Sequence, residues 1–108
     1  MSTQKSKISV EEALSVNGRM KQLRIQLGLS QQEFGEALGY SRCAIVNFET
    51  RRSTPYRRIY IEMARERLAA WLKARNERHK SVLESFDTDA SLRLWDAGFH
   101  FPIREEDK

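Results

Sequence analysis

The chain is 108 residues long, 40% hydrophobic and 9% aromatic, which suits one small folded domain with extensions and excludes a large multi-domain enzyme. Its net charge of +4 is unevenly placed: residues 19–58 carry eight basic and three acidic side chains, whereas residues 83–108 carry three and seven. That polarity, +5 against −4, suits a polyanion-binding part followed by a segment of another kind.

The single cysteine, Cys43, excludes an intramolecular disulfide, and one cysteine with His79 and His100 is too few for a structural zinc site. Residues 1–10 lack the apolar run of a secretory leader, and no window approaches the roughly 20 apolar residues of a membrane span. The expected location is therefore cytoplasmic, with no membrane partner.

In chain order, residues 1–8 are expected to form a flexible arm, since Ser, Thr, Gln and Lys bury little apolar area. Ser9 and Glu12 have capping-box spacing ahead of a short apolar face of Val10, Ala13 and Leu14, and Asn17-Gly18 is expected to break that first helix. A second helix is predicted over residues 19–27 from the apolar spacing of Met20, Leu23 and Leu27, with Gly28 as its C-cap.

Ser30 and Glu33 form a capping box before the stripe Phe34, Ala37, Leu38, so the next helix ends at Gly39, which takes the positive φ of a tight turn. Tyr40 points inward, and Ser41 caps a helix over residues 42–49 whose inner side is Ala44, Ile45 and Phe48. Pro55 suits the first turn of one long helix reaching Lys80, with Ile59, Met63, Leu68, Trp71 and Leu72 as its apolar side. Thr88 is read as the N-cap of a last helix that carries Leu92 and Trp95 and stops at Gly98, before an extended alternation of Phe99, Phe101 and Ile103.

The order Ser30-Gln31, Phe34, Ala37-Leu38-Gly39, Ser41, Ile45, Phe48-Glu49 resembles the helix-turn-helix of the Cro/CI-type phage repressors and XRE-like regulators. The resemblance covers about residues 19–55 and is closest over Arg24-Ile-Gln-Leu-Gly-Leu-Ser-Gln31. It implies an all-α fold, a lambda-repressor-like helix-turn-helix bundle, here with a long C-terminal helical extension and a short tail. The implied division is an arm over 1–8, a DNA-binding domain over 9–72 and an extension over 73–108 for dimerisation or partner binding.

Independently of any family, Phe34, Leu38, Ile45 and Phe48 facing the core leave Arg42, Cys43, Val46 and Asn47 on the other side of the third motif helix. Arginine can pair bidentately with guanine and asparagine with adenine, each contributing roughly 1 to 3 kcal/mol of discrimination, so these four are the candidate base readers. The resemblance further implies phosphate contacts from Gln31 and Ser41, with the basic residues Arg51, Arg52, Arg57 and Arg58 also placed to grip the backbone. It also implies a stabilising ion pair between Arg24 and Glu49. Two departures are expected: Arg51 stands where relatives commonly carry glycine, and the helix after Pro55 is unbroken.

The plainer alternatives are a solvated surface for the arginines and a small groove-facing side chain, rather than a redox switch, for Cys43. No nucleophile-base pair, paired carboxylates in an apolar setting or phosphate-binding glycine loop is present, so no enzyme activity, cofactor or metal is expected. The expected partners are double-stranded DNA and a second copy of the chain. An antitoxin-like interaction module, using the acidic, aromatic C-terminal segment to bind a protein, is the alternative.

Overall fold

The computed structural model describes residues 10–50, 55–73 and 79–102, apart from the side chains of residues 11 and 12. Its described residues contain eight helices and no strand: α1 (Val10–Ala13), α2 (Val16–Leu27), α3 (Gln31–Leu38), α4 (Arg42–Thr50), α5 (Arg58–Glu62), α6 (Ala64–Lys73), α7 (Lys80–Ser85) and α8 (Thr88–Asp96). The all-α helix-turn-helix bundle expected from the sequence is therefore the fold. The expected arm over 1–8 and Ile103 lie outside the described residues.

The three motif helices follow their local signals. Gly28 and Gly39 end α2 and α3 at φ 73° and 97°, a region that costs glycine nothing and other residues much. The Ser30 hydroxyl accepts the Glu33 N–H at 3.0 Å while the Glu33 carboxylate accepts the Ser30 N–H at 2.9 Å, closing the capping box. Ser41 accepts the Ala44 N–H at 3.1 Å and so caps α4.

Asn17-Gly18 does not break a helix. Both residues lie buried in the first turn of α2, because Ser15 accepts the Gly18 N–H at 3.1 Å and starts the helix there. The orphan N–H groups of Val16 and Asn17 donate to the carbonyls of Phe99 and His100 at 2.9 and 2.8 Å. Partners more than eighty residues away make the N-terminus of α2 complete, and no local pattern announces them. Those carbonyls lie in irregular chain, so the expected extended alternation from Phe99 forms no strand among the described residues.

The single helix from Pro55 to Lys80 is also corrected. Pro55 to Arg57 are non-helical, α5 ends at the turn of Met63, α6 is described as far as Lys73, residues 74–78 of the expected helix lie outside the described residues, and Lys80 opens α7. Tyr56 is fully buried against Phe48, and its carbonyl, which a helix would use internally, accepts the Trp95 indole N–H at 2.8 Å. The inward stripe is Ile61, Ala64, Leu68 and Leu72, whereas Ile59 and Met63 are 48% and 37% exposed. Asp87 rather than Thr88 caps α8, its carboxylate accepting the Ala90 N–H at 2.9 Å.

One apolar core runs from Val16 and Met20 of α2 through Phe34, Leu38, Ile45 and Phe48 to Leu68, Leu72, Leu83 and Phe86. Trp71, Leu92 and Trp95 pack on its edge. The C-terminal helices are thus built onto the motif: α7 lies on α2 and α6, and α8 lies on α2 and α5.

Candidate nucleic-acid interface

Two ends of α4 fix its direction. At its start, Gly35 of α3 lies so close to the turn that a Cβ there would sit 2.6 Å from the Tyr40 carbonyl oxygen and 3.3 Å from that of Ser41. Tyr40 then enters an aromatic group, with ring centroids 4.8 Å from Phe48, 5.7 Å from Tyr56 and 4.4 Å from Tyr60. Such edge-on and tilted pairs add about 0.5 to 1.5 kcal/mol each beyond the area they bury.

At the other end, Asn17 Nδ2 donates to the Phe48 carbonyl at 2.9 Å. Arg24 Nε and Nη2 donate to the two oxygens of Glu49 at 2.8 and 3.0 Å, and Arg24 Nη1 donates to the Leu29 carbonyl at 2.9 Å. With only 16% and 3% of their side chains exposed, Arg24 and Glu49 lock α4 to the end of α2 by a planar, bidentate contact.

Held in this way, α4 buries Ile45 and Phe48 and turns Arg42 and Cys43 to solvent, with Val46 and Asn47 half-buried. Among the described residues no side-chain hydrogen bond holds Arg42 or Asn47, so their donors are available to a ligand. Cys43 is a free, exposed thiol.

The residues assigned to phosphate divide. Gln31, half-buried at the start of α3, donates Nε2 to Glu49 at 3.1 Å and so joins the Arg24 pair. The Ser41 hydroxyl oxygen accepts the Ala44 N–H as the cap of α4, a contact that does not use its own O–H donor. Arg51 and Arg52 lie outside the described residues. Arg57 is exposed, and its backbone N–H donates to the Tyr40 hydroxyl at 3.2 Å, which ties the start of α5 to the start of α4. Burial raises the Tyr40 phenol above its ordinary range, an effect this hydrogen bond partly offsets.

Arg58 is not a free cation. Its Nε and Nη2 donate to the two oxygens of Asp96 at 2.9 and 3.1 Å, and Nη1 contacts Glu62. The hydrogen bond to Asp96 raises the guanidinium further and holds the Asp96 carboxyl below its ordinary range.

Sequence reasoning missed the Asn17, Gln31, Arg67 and Asp96 contacts. Arg67 Nη1 donates to the Leu38 carbonyl at 3.1 Å, supporting the C-terminus of α3, and its guanidinium carbon lies 5.4 Å from the Tyr60 ring centre. For Asp96 a signal existed: an acid in the last turn of a helix opposes the helix dipole and calls for a cationic partner.

Residues 20–66 match the helix-turn-helix family, the span that holds all three motif helices save the start of α2. No curated protein and no solved structure matches the chain. No described helix is long and apolar enough to cross a membrane.

Proposed function

We propose, from the match of residues 20–66 to the helix-turn-helix family, that the chain is a sequence-specific transcriptional repressor of the XRE, Cro/CI-like kind that binds DNA through this domain. In this proposal α4 enters the major groove, Arg42 and Asn47 pair with base edges, and Cys43 and Val46 make the apolar or shape contacts beside them. The observation that carries it is the outward face of α4: four unspent side chains on a helix fixed at both ends, beside the exposed Arg57. Gln31, Ser41, Arg51, Arg52 and Arg57 are assigned to the phosphates, and such contacts set register and give salt-dependent affinity. Arg58 is left out of that set because Asp96 and Glu62 hold its guanidinium.

The operator is proposed to be an inverted repeat read by two copies, with half-sites about one helical turn apart. Among the described residues Val10, Leu14, Ile25, Ile59, Met63 and Phe99 are the large apolar side chains left exposed, and a contact between copies is proposed to draw on them. Of the aromatic residues of the C-terminal segment, Phe86 and Trp95 pack on the core while Phe99 stays exposed, and the antitoxin-like module remains the alternative reading of that segment. A chain that reads chromosomal DNA works in the cytoplasm of a cell without a nucleus, and that is its proposed location.

Selection of bound duplexes from a random pool tests the proposal. A palindromic consensus is expected. Arg42→Ala should then cost roughly 1 to 3 kcal/mol on the selected site and relax preference at one base position. Recovery of no consensus, with equal binding to all duplexes, would remove the specific-regulator reading.

A further inference from the structure

The helix end that carries Asp96 is an unfavourable place for a carboxylate. Asp96 is the last residue of α8, where the helix dipole presents its negative pole, and its side chain is 54% exposed. It nevertheless grips Arg58 with both oxygens across thirty-eight positions of sequence. Exposed ion pairs in general add little to stability, bidentate ones more than most. Fold stability therefore gives only a modest reason for an acid at this position.

The partner's location supplies a better one. Arg58 opens α5, directly after Arg57, and the Arg57 N–H is bonded to Tyr40, the residue that precedes the N-cap of α4. The start of α5 is thereby tied to the start of α4, and an unpaired arginine there would be a candidate for phosphate contact. Trp95, the residue before Asp96, donates its indole N–H to the Tyr56 carbonyl at 2.8 Å, so the carboxylate is held at Arg58 by a second contact of the same helix with the same segment.

We propose that Asp96 is a specificity-setting residue that competes with DNA phosphate for Arg58, lowering the sequence-independent affinity of the chain for duplex. Glu62 contributes the third contact from within α5. A phosphate contact strengthens binding to every sequence alike. By withholding one, Asp96 keeps the chain from being retained on non-operator DNA, and recognition depends more on α4. The inference rests on the proposed DNA binding.

The test is a salt series of the full chain against a labelled random-sequence duplex, followed by fluorescence anisotropy, for wild type, Asp96→Asn, Arg58→Met and the double variant. Asparagine is well tolerated at a helix C-terminus, so α8 should persist, and circular dichroism checks it. Asp96→Asn is expected to bind more tightly and to steepen the dependence of log K on log salt by about 0.9, the signature of one more phosphate contact. Its advantage over wild type should consequently shrink by about threefold between roughly 50 and 200 mM salt. Glu62→Gln, an independent variant that leaves the sequence of α8 unchanged, should shift affinity in the same direction by less.

With Arg58→Met present, the same Asp96→Asn change should give only the smaller gain of removing one negative charge. An equal gain in both backgrounds would overturn the inference, as would a wild-type slope and affinity in both Asp96→Asn and Glu62→Gln. Absence of salt-dependent duplex binding by the wild-type chain would instead overturn the DNA-binding proposal, and the inference with it.

Discussion

The two ends of α4 are held by different kinds of contact. At its start the principal fixings are close in sequence, Gly39 in a left-handed turn, Ser41 on the Ala44 N–H and Gly35 packed under the turn, and the Arg57 N–H on the Tyr40 hydroxyl adds one from farther along the chain. At its end they come from afar, with Asn17 on the Phe48 carbonyl, Arg24 and Gln31 on Glu49, and Tyr56 against the Phe48 ring at 4.2 Å. The start is therefore a property of a short sequence motif. The end is a property of the whole bundle, so whatever disturbs α2 or residues 55–57 is transmitted to the recognition helix. The difference can be broken at either end.

The largest effect is expected at the distant fixings. Glu49→Ala leaves the Arg24 guanidinium without its carboxylate in a position only 16% exposed, and Gln31 loses the same acceptor. Breaking one side of such a pair costs about 3 kcal/mol. Urea unfolding should show the loss as a lower midpoint with unchanged slope, and a change below about 0.5 kcal/mol would mean that the pair behaves as a surface contact.

At the near end, Gly35→Ala gains up to about 1 kcal/mol of helix propensity but forces a methyl to within 2.6 Å of a backbone oxygen. Overpacking of this kind costs about 1 to 3 kcal/mol, so a net loss of about 1 kcal/mol is expected. Because the displaced atoms belong to the turn before α4, DNA affinity should fall by more than the stability loss explains. Ser30→Ala removes one arm of the capping box and costs about 1 kcal/mol by the same unfolding assay. It is distant from the proposed base readers, so specificity should be unchanged.

This division also explains how much was legible. Ser30 with Glu33, the glycines at 28 and 39, and the Phe34, Leu38, Ile45, Phe48 stripe are rules of spacing, and each element they define stands where the sequence puts it. The base-facing side of α4 followed from that stripe by helical geometry. What failed depended on distant groups. The start of α2 needs carbonyls of Phe99 and His100, and the helix after Pro55 is displaced because Tyr56 has a buried site and Trp95 takes its carbonyl. Gly35 is the near-sequence exception: helical spacing puts it on the buried side, but only the packed turn shows that no side chain fits.

Tyr56 gives the subtlest test, because its ring and its hydroxyl act in opposite directions. The ring is fully buried between Phe48 and Tyr40, yet the hydroxyl has no hydrogen-bond partner among the described residues. An unpaired buried hydroxyl costs about 1 to 3 kcal/mol of desolvation, so Tyr56→Phe, which keeps the ring, should leave stability unchanged or raise it by about 1 kcal/mol. Burial, reinforced by nearby Glu49 and Tyr40, also holds the phenol well above its ordinary range. The folded state then keeps the proton that the unfolded state releases. The stability this brings is complete below the ordinary tyrosine value, about pH 10, and is lost as pH rises from there toward the folded value. Urea midpoints of wild type and Tyr56→Phe, compared at neutral pH and above about pH 10, should therefore diverge with increasing pH in favour of the phenylalanine. A variant that is less stable than wild type by more than about 1 kcal/mol at neutral pH would show that the hydroxyl is hydrogen-bonded, and that this end of α4 is fixed by one more distant contact.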